Sequence, residues 1–481
     1  MPCSTEPRPA RSLSPRDIVR SGLCIGCGAC AGPGAAVGPR MAMDRYGQLK
    51  PVGDAQGLRR RSAAFAQICP FSPSAVDETT IARTRFPAAP ETDERIGRFE
   101  AAYVGHVADI GFREEGSSGG MVTWVAAELL RRGMVDGVAH VAPSAPQLFG
   151  YRISRSEAEV RAGAKSRYYP VELSQVIAEM RAVPGRYAVV GVPCFIKAIH
   201  LLAREDRVLR ERVAFTLGLF CGHMKSTRLV ESFAGQMGTP PSAVERVDFR
   251  VKNPNRPANW YTARLGLRDG SVRQQDWWNL AEGDWGSGFF QNPACNACDD
   301  VVAETADIAF GDAWVEPYAS DGRGTNVVVV RTPWLRQLLA MAIAEGRLDL
   351  KPVDGAFVVE TQAAGFRQRR EGLALRLTWR RRGVRPRTRA PPGVAGLPFR
   401  RRATYAMRAY ITAWSHRVFL LARWLRWPSL YLRWAWLAVR IYQGVTYSRG
   451  RFGAWVDRLE RWLGILNSFK SYRNRALPSR R

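Results

Sequence analysis

Acidic residues are in short supply in this chain, and the shortage is concentrated at one end. Its 481 residues carry 71 Lys plus Arg against 43 Asp plus Glu, a formal net charge of +28. Residues 380–481 hold 24 basic residues and only two acids, Asp457 and Glu460, for a net of +22. The first 379 residues keep a net of +6, which is ordinary. A nearly balanced body, long enough for two or three domains with a sizeable core, therefore carries a strongly basic tail. The chemistry is expected in the body. A hydrophobic leader is missing as well: residues 1–16 are rich in Pro, Arg and Ser without the apolar stretch of a signal peptide, and are expected to be disordered. Nine cysteines without such a leader argue against a secreted disulfide scaffold. Thiols in a reducing, cytoplasmic compartment are more often metal ligands or reactive groups than bridges.

The spacing of the cysteines indicates their use. Cys24-Ile25-Gly26-Cys27-Gly28-Ala29-Cys30 sets three thiols at intervals of three, just after the amphipathic lead-in Asp17-Ile18-Val19. Such spacing wraps backbone around a metal–sulfur cube. No Cys-Pro follows Cys30 at the usual short distance; Ala31-Gly32-Pro33-Gly34 stands there instead. The fourth ligand has to come from elsewhere, and Cys69-Pro70 has the form that closes bacterial-ferredoxin clusters. The expected site is one 4Fe–4S cluster on Cys24, Cys27, Cys30 and Cys69. Structural zinc, which also takes four thiolates but usually as two CxxC knuckles, is the alternative.

Beyond a polar, Pro-rich connection at 72–97, the body reads as strands and helices in turn. A strand begins at Tyr103-Val104-Gly105-His106-Val107, and residues 121–130 form a helix pattern that stops at Gly133. Gly116, Ser117, Ser118, Gly119 and Gly120 precede that helix. Small residues there let backbone N–H groups and the helix dipole meet an anion, such as the phosphate or pyrophosphate of a nucleotide. A plain Ser/Gly cap is the alternative. Further strands are expected at 136–141, 187–192, 213–220 and 326–330, with helices at 195–202 and 332–346, the latter capped by Thr332. This alternation predicts an α/β layer with a largely parallel sheet.

Two of these strands deliver a cysteine at the carboxyl end, Cys194 and Cys221, the edge where such sheets place their sites. Cys295-Asn296-Ala297-Cys298 adds two more, followed by the acidic-ended strand Ala306-Asp307-Ile308-Ala309-Phe310-Gly311-Asp312-Ala313-Trp314. Cys194, Cys221, Cys295 and Cys298 make a second set of four, leaving over only Cys3 in the leader. A second iron–sulfur cluster is expected there; a redox dithiol or half a zinc knuckle at the CxxC is the alternative. Lysine is scarce, seven of 71 basic residues, yet Lys165, Lys197, Lys225 and Lys252 fall between the glycine-rich turn and the CxxC. A compact ammonium suits a phosphate or a flavin ring edge; surface lysines are the plain alternative. His223 and Asp312 are the only acid–base candidates, a packed histidine being the ordinary fate of the first.

The body resembles the beta subunits of coenzyme F420 (deazaflavin) hydrogenases and dehydrogenases, a family that includes 7-hydroxymethyl chlorophyll a reductase and ferredoxin-dependent divinyl chlorophyllide vinyl reductase. The resemblance rests on Cys24 to Cys30 with Cys69-Pro70, Gly116-Ser117-Ser118-Gly119-Gly120 with its helix, Lys165-Ser166-Arg167-Tyr168, Gly191-Val192-Pro193-Cys194, Phe220-Cys221-Gly222, and Cys295 through Trp314, in that order over roughly residues 15–365. It implies FAD and iron–sulfur clusters, a ferredoxin-like donor, a small-molecule acceptor, and flavin contacts from Gly116, Ser117, Ser118, Gly119, Gly120, Lys165, Ser166 and Tyr168. Phe195 stands where the family often has glutamine, and the basic tail is foreign to the compared subunits. The implied activity is an oxidoreductase, ferredoxin- or deazaflavin-linked; a non-catalytic electron-transfer subunit is the alternative, and a zinc-stabilised interaction protein the outsider.

The tail is expected to be helical over 403–469, after a charged extended stretch at 380–399. Seven of the chain's 15 tryptophans fall after residue 380, interleaved with arginines. Arg426, Arg433 and Arg440 would each cost roughly 2.5–3.5 kcal/mol at a bilayer centre, so a span is not expected. Arg433 and Arg440 share a face opposite Trp, Leu and Val, and Pro428 breaks this helix from the preceding one. Such helices suit an anionic membrane surface, as a peripheral contact at the inner face, or pack on the body or a partner. Nothing resembles a specific nucleic-acid motif. The expected organisation is a leader at 1–16, a ferredoxin-like iron–sulfur segment at 17–75, a connection at 76–100, a flavin and second-cluster body at 101–365, a basic linker at 366–402 and a Trp-rich helical tail at 403–481. The fold class is thus an α/β (α+β) body between an iron–sulfur segment and a basic helical extension.

Overall fold

A computed structural model describes residues 12–31, 40–379 and 383–475, with side chains described as far as residue 462. Cys3 and most of the leader lie outside the described residues. The organising element is an eight-stranded mixed sheet. Its order is Leu348–Val353, Ala101–Val107, Asn326–Val330, Ile308–Asp312, Val213–Leu219, Tyr187–Gly191, Gly137–Pro143 and Phe149–Ser154. The four strands from Ile308–Asp312 to Gly137–Pro143 run parallel; every other neighbouring pair is antiparallel. The expectation of a largely parallel sheet is therefore corrected to a parallel centre with antiparallel flanks. The connections explain the difference. Five residues join Gly137–Pro143 to Phe149–Ser154, enough for a hairpin but far too few for the crossover a parallel pair requires.

Apolar side chains fill both faces of the centre, as buried parallel strands demand. Tyr187 and Val189 point into one core with the helices Ser174–Ala182 and Pro193–Glu205. Ala188, between them, points into the other core with the helices Met121–Arg131 and Pro333–Ala344. All eight described cysteines lie in or against the first core, except Cys221. Seven of the eight thus lie on one side of the sheet, brought there by the segments between and before the strands, since no described cysteine lies in a strand. Thr332 stands at the head of its helix as expected, but its hydroxyl makes no cap hydrogen bond and is buried without a partner.

The amino-terminal segment begins with the helix Pro15–Arg20, closed by a reciprocal Ser14–Asp17 capping box. A hairpin of Arg40–Met43 and Leu49–Val52 follows, then the helix Ala63–Ile68, which ends on Cys69. A separate antiparallel sheet, Val244–Val251, Thr262–Leu267 and Val272–Asp276, rises between two strands of the main sheet.

Past residue 353 the chain does not run out as an extended linker. The helices Gly355–Thr361, Ala363–Arg369 and Glu371–Trp379 follow, and Val358, Val359 and Phe366 close a core against Val327 and Val329. The stretch after them docks by charge: Arg389 is ion-paired with Asp299 and Glu304, and Arg387 with Asp77 at 2.9 Å. The helices Phe399–Trp424 and Pro428–Tyr447 then pack on the body, Pro428 opening the second as expected. Ile411, Tyr431, Ala435 and Tyr442 share one core with Trp277, Phe289 and Phe290. Tyr431 stacks on Phe290 at 5.4 Å. The last helix is Gly450–Arg475. No helix among the described residues is long and apolar enough to cross a membrane.

Candidate functional site

The glycines in the first cysteine run allow it to fold tightly. Gly28 has φ of +80°, and a Cβ there would fall 2.2 Å from Glu172 Oε2 and 3.0 Å from the Leu173 amide. With only hydrogen at that position, the Cys27 carbonyl reaches the Leu173 N–H at 2.9 Å. Cys24, Cys27, Cys30 and Cys69 line one small pocket together. Burial pushes the Cys27 thiol up to about 12, and the neighbouring Cys24 acts in the same direction. Burial raises Cys30 too, with Cys27, Cys24 and Cys69 all acting on it.

The second set also comes together. Burial raises the Cys194 thiol, and Cys298, Cys221 and Cys295 reinforce the shift in that order. Cys27 also acts on Cys194, so the two sets are neighbours on the same side of the sheet. All eight thiols are free. Arg369 spans this second set. Its Nη2 donates to the carbonyls of Cys221 at 3.0 Å and Gly222 at 2.7 Å, and stands 3.9 Å from the Cys221 sulfur. Buried thiols gathered around a cation are poor structural hydrophobes, and as thiolates they would need a positive centre. That chemistry fits four-thiolate ligation of an iron–sulfur cube. That fit rests on the chemistry of the thiols and not on their spacing, because no group of three or more His, Cys, Asp or Glu among the described residues is placed to hold a single metal ion.

A cavity of about 930 Å³ opens beside the second set, in the volume range of ligand sites. Gly116, Ser117, Ser118 and Gly120 line one part of it, with Lys165, Ser166 and Tyr168, and Cys221 lines another. Gly119 does not line it; a Cβ there would fall 2.8 Å from the Gly105 carbonyl, so this glycine packs against the sheet. Gly120, at φ of +85°, heads the helix Met121–Arg131 without a side-chain cap. Asn326 Oδ1 takes the Met121 N–H at 3.1 Å, leaving the next residues of the first turn, Val122 and Thr123, facing the cavity. The serines are not used as an ordinary cap. The Ser117 hydroxyl instead accepts from the Ser166 N–H at 2.8 Å, which joins the glycine turn to the Lys165 segment. Lys165 is ion-paired with Asp248 at 3.4 Å.

The other lysines divide. Lys252 donates to the carbonyls of Arg113 and Ser118, the latter at 2.6 Å; burial, with Lys165 and Arg113 nearby, lowers it to about 7. Lys225 lines the cavity and is lowered to about 7 by burial and by Arg408. Lys197 is placed elsewhere: it is buried in a 3.0 Å pair with Glu78 and does not reach the cavity, which removes it from the phosphate candidates. Asp312 borders the cavity but is held by Arg250 at 3.0 and 3.2 Å. His223 stacks on Trp285 at 4.2 Å, and burial, with Lys225 and Arg408 adding, holds it well below its usual range. Asp312 is thus engaged by an arginine and His223 is packed against an indole ring. Arg250, Arg369, Trp285 and Arg408 escaped sequence reasoning, since no spacing distinguishes a cavity arginine from the many others.

Known proteins share the part of the chain that builds most of this cavity's wall. A family model described as coenzyme F420 hydrogenase/dehydrogenase, beta subunit N-term, matches residues 102–178, and the companion model for the C terminus of that same beta subunit matches residues 185–356. An uncharacterized protein of Methanocaldococcus jannaschii is 24% identical over 241 residues, 48% of this chain and 60% of its own length, so this chain spans less than two thirds of that relative. The coenzyme F420 hydrogenase subunit beta of Methanosarcina barkeri is 22% identical over 276 residues, covering 54% of this chain and 85% of that one. A chain of the F420-reducing NiFe hydrogenase complex from the same organism superposes with a TM-score of 0.48 at 18% identity, covering 62% of this chain and 99% of that one. Cys194, Cys221, Cys295 and Cys298 fall inside the matched residues, whereas the first cysteine set and the C-terminal helices fall outside. The two matches together take in more than half of the sequence, and the chain belongs to the coenzyme F420 hydrogenase/dehydrogenase beta subunit family.

Proposed function

We propose that this chain is an iron–sulfur flavoprotein oxidoreductase. In this reading it takes electrons from a ferredoxin-like donor through two 4Fe–4S clusters to FAD and on to a small-molecule acceptor. The observation that carries the reading is that Cys221 lines the same cavity as Gly116, Ser117 and Lys165. A thiol of one four-cysteine set thus stands at the wall of a nucleotide-sized space that also holds a glycine-rich helix entrance. Cys24, Cys27, Cys30 and Cys69 would hold one cluster, and Cys194, Cys221, Cys295 and Cys298 the other. Bound FAD would accept electrons singly and pass them on in pairs.

The protein's own groups supply position and charge. The 116–120 turn and the first turn of its helix offer N–H groups to a pyrophosphate, with Ser166 and Lys165 tied to that turn through Ser117. Lys252 holds the same turn from behind through the Ser118 carbonyl. Arg369 holds the Cys221–Gly222 backbone and places a positive charge beside the second thiol set, which favours the thiolate form there. Tyr168, packed 4.6 Å from Trp285, builds the aromatic wall.

Anaerobically purified chain, given reduced ferredoxin, should bleach its flavin absorption near-stoichiometrically and then turn over an organic acceptor without a second protein. A colourless preparation holding zinc but neither iron nor flavin would reject the reading. A second reading, a non-catalytic electron-transfer subunit, is favoured by the likeness to the Methanosarcina protein, itself a hydrogenase subunit. Flavin bleaching without acceptor turnover by the isolated chain would select it.

A further inference from the structure

The two thiol sets meet opposite charges. The Glu172 carboxylate lies against Gly28, inside the first run, and acts on Cys27 as a negative charge. Among the described residues Glu172 has no ion-pair partner; its oxygens accept from the Ser174 N–H and hydroxyl. Arg369, at the second set, is 2% exposed and likewise has no carboxylate partner among the described residues. Its Nη2 is held by the Cys221 and Gly222 carbonyls, and its buried Nη1 has no partner. Burial works against this charge, and Cys298, Cys221, Cys295 and Cys194 hold it, in that order. The second set is therefore the counterion of Arg369. Arg408 and Lys225 add to it at Cys295, and the Met224 N–H donates to the Cys295 sulfur at 3.3 Å. Asp299 and Asp300 oppose it at Cys298, but Asp299 is ion-paired with Arg389 at 3.2 Å and Asp300 accepts the Val302 and Glu304 N–H groups at 3.0 Å. Lys50 donates to the Cys24 carbonyl at 2.5 Å but also acts on Cys295, so it does not separate the sets. Lys197 acts on Cys69 but is itself paired with Glu78. Backbone N–H groups serve the first set instead, that of Ala29 at Cys27 and that of Phe71 at Cys69. A full charge in a low-dielectric site outweighs such dipoles.

We propose that Arg369 and Glu172 fix the order of the two four-thiolate sites, the second taking the higher reduction potential. An added electron is stabilised beside a buried cation and opposed beside a carboxylate, and both effects grow where water is excluded. Electrons arriving at the first set then run downhill to the second, whose Cys221 stands at the cavity wall. One electron leaves the first site as one enters the second, and no proton or bond changes hands. The reductant is the ferredoxin-like donor. Arg369 closes the helix Ala363–Arg369, beyond residue 356 where the family matches end, so the matched part of the chain does not contain it. This inference rests on reading both sets as iron–sulfur sites, and its test reads potentials, not turnover.

Full-length protein, purified anaerobically, is titrated with dithionite in the presence of mediator dyes and followed by electron paramagnetic resonance. Cys27→Ser and Cys298→Ser identify the two signals, each by the one it lacks. In wild type the signal lost in Cys298→Ser should develop at the higher potential. Arg369→Gln should lower the reduced-to-oxidised ratio of that site about tenfold at a fixed potential, equivalent to about 59 mV for one electron, with the first site's curve unmoved. Arg369→Lys should keep part of the effect, and Glu172→Gln should raise only the first site's ratio, by a smaller factor. Coincident or reversed potentials in wild type, or an unmoved second curve in Arg369→Gln, overturn the proposal. Both curves moving together would mark a general structural change and overturn it as well. Should Arg369→Gln fail to assemble the second site, the wild-type order and Glu172→Gln decide, and an unmoved first curve overturns the proposal. Two signals of equal potential would keep the iron–sulfur reading and reject this ordering; no signal of either kind would reject both.

Discussion

At the scale of single residues, burial decides what each titratable group can do. His140, in the next-to-edge strand Gly137–Pro143, has its Nε2 2.8 Å from the Ser154 hydroxyl. Burial, with Arg152 adding, lowers it to about 4, while Glu159 opposes. The folded chain therefore holds this imidazole neutral, whereas an unfolded one takes up a proton near pH 6.5. Between about pH 6.5 and 4 the unfolded state binds more protons, so the contribution is whole above pH 6.5 and is lost as pH falls toward 4. The loss is roughly 3 kcal/mol in order of magnitude. Denaturant midpoints of His140→Gln should accordingly fall less steeply than those of wild type over this pH window. Equal slopes would mean that His140 is not held neutral.

Residue scale is also where sequence reasoning reached least evenly. The runs Cys24–Cys30 and Cys295–Cys298 stand out by spacing, whereas Cys69, Cys194 and Cys221 are isolated in sequence and were singled out only by a following proline or a strand end. Lys197 and Lys225 looked alike in sequence, yet one is paired with Glu78 and the other faces the cavity. Arg369 and Arg408 were illegible for a related reason: both stand in arginine-rich stretches, and only packing across the chain selects which arginine is buried. The partner of Arg408 is 185 positions away.

At the scale of elements, most strands and helices were legible from apolar runs and from punctuation by Gly and Pro, down to Pro428 at the head of its helix. Pairing direction was not, because neighbouring strands such as Ala101–Val107 and Asn326–Val330 are far apart in sequence. The C-terminal helices are the most consequential case. Their alternation of tryptophan and arginine fits a membrane surface or a protein surface equally well in sequence. In the fold the apolar face made by Ile411, Tyr431, Ala435 and Tyr442 is already covered by the body. Trp424, Trp427, Trp455 and Trp462 remain exposed, so a membrane contact through them stays a proposal to test. Tyr431 is 2% exposed and donates to Glu282 at 2.6 Å. Tyr431→Ala should cost roughly 3 kcal/mol or more by cavity formation and a lost buried hydrogen bond. Because helices and body share one core, the variant should still unfold in a single transition of lower midpoint. A separate early transition, with the body unchanged, would show that the helices fold as an independent unit.

At the scale of the whole molecule, the sheet acts as a partition. Seven of the eight described thiols lie in or against the core on one face, and the cavity gathers the 116–120 turn, Cys221 and the C-terminal helices around one volume. The central claim is that eight sulfurs form two independent clusters there. The most direct measurement is iron per chain, by metal analysis after anaerobic purification, in wild type and in Cys27→Ser and Cys298→Ser. The account predicts about eight irons in wild type and about four in each variant, with the flavin retained in Cys27→Ser. Iron content unchanged by either substitution, or four-thiolate zinc in place of iron, would contradict it.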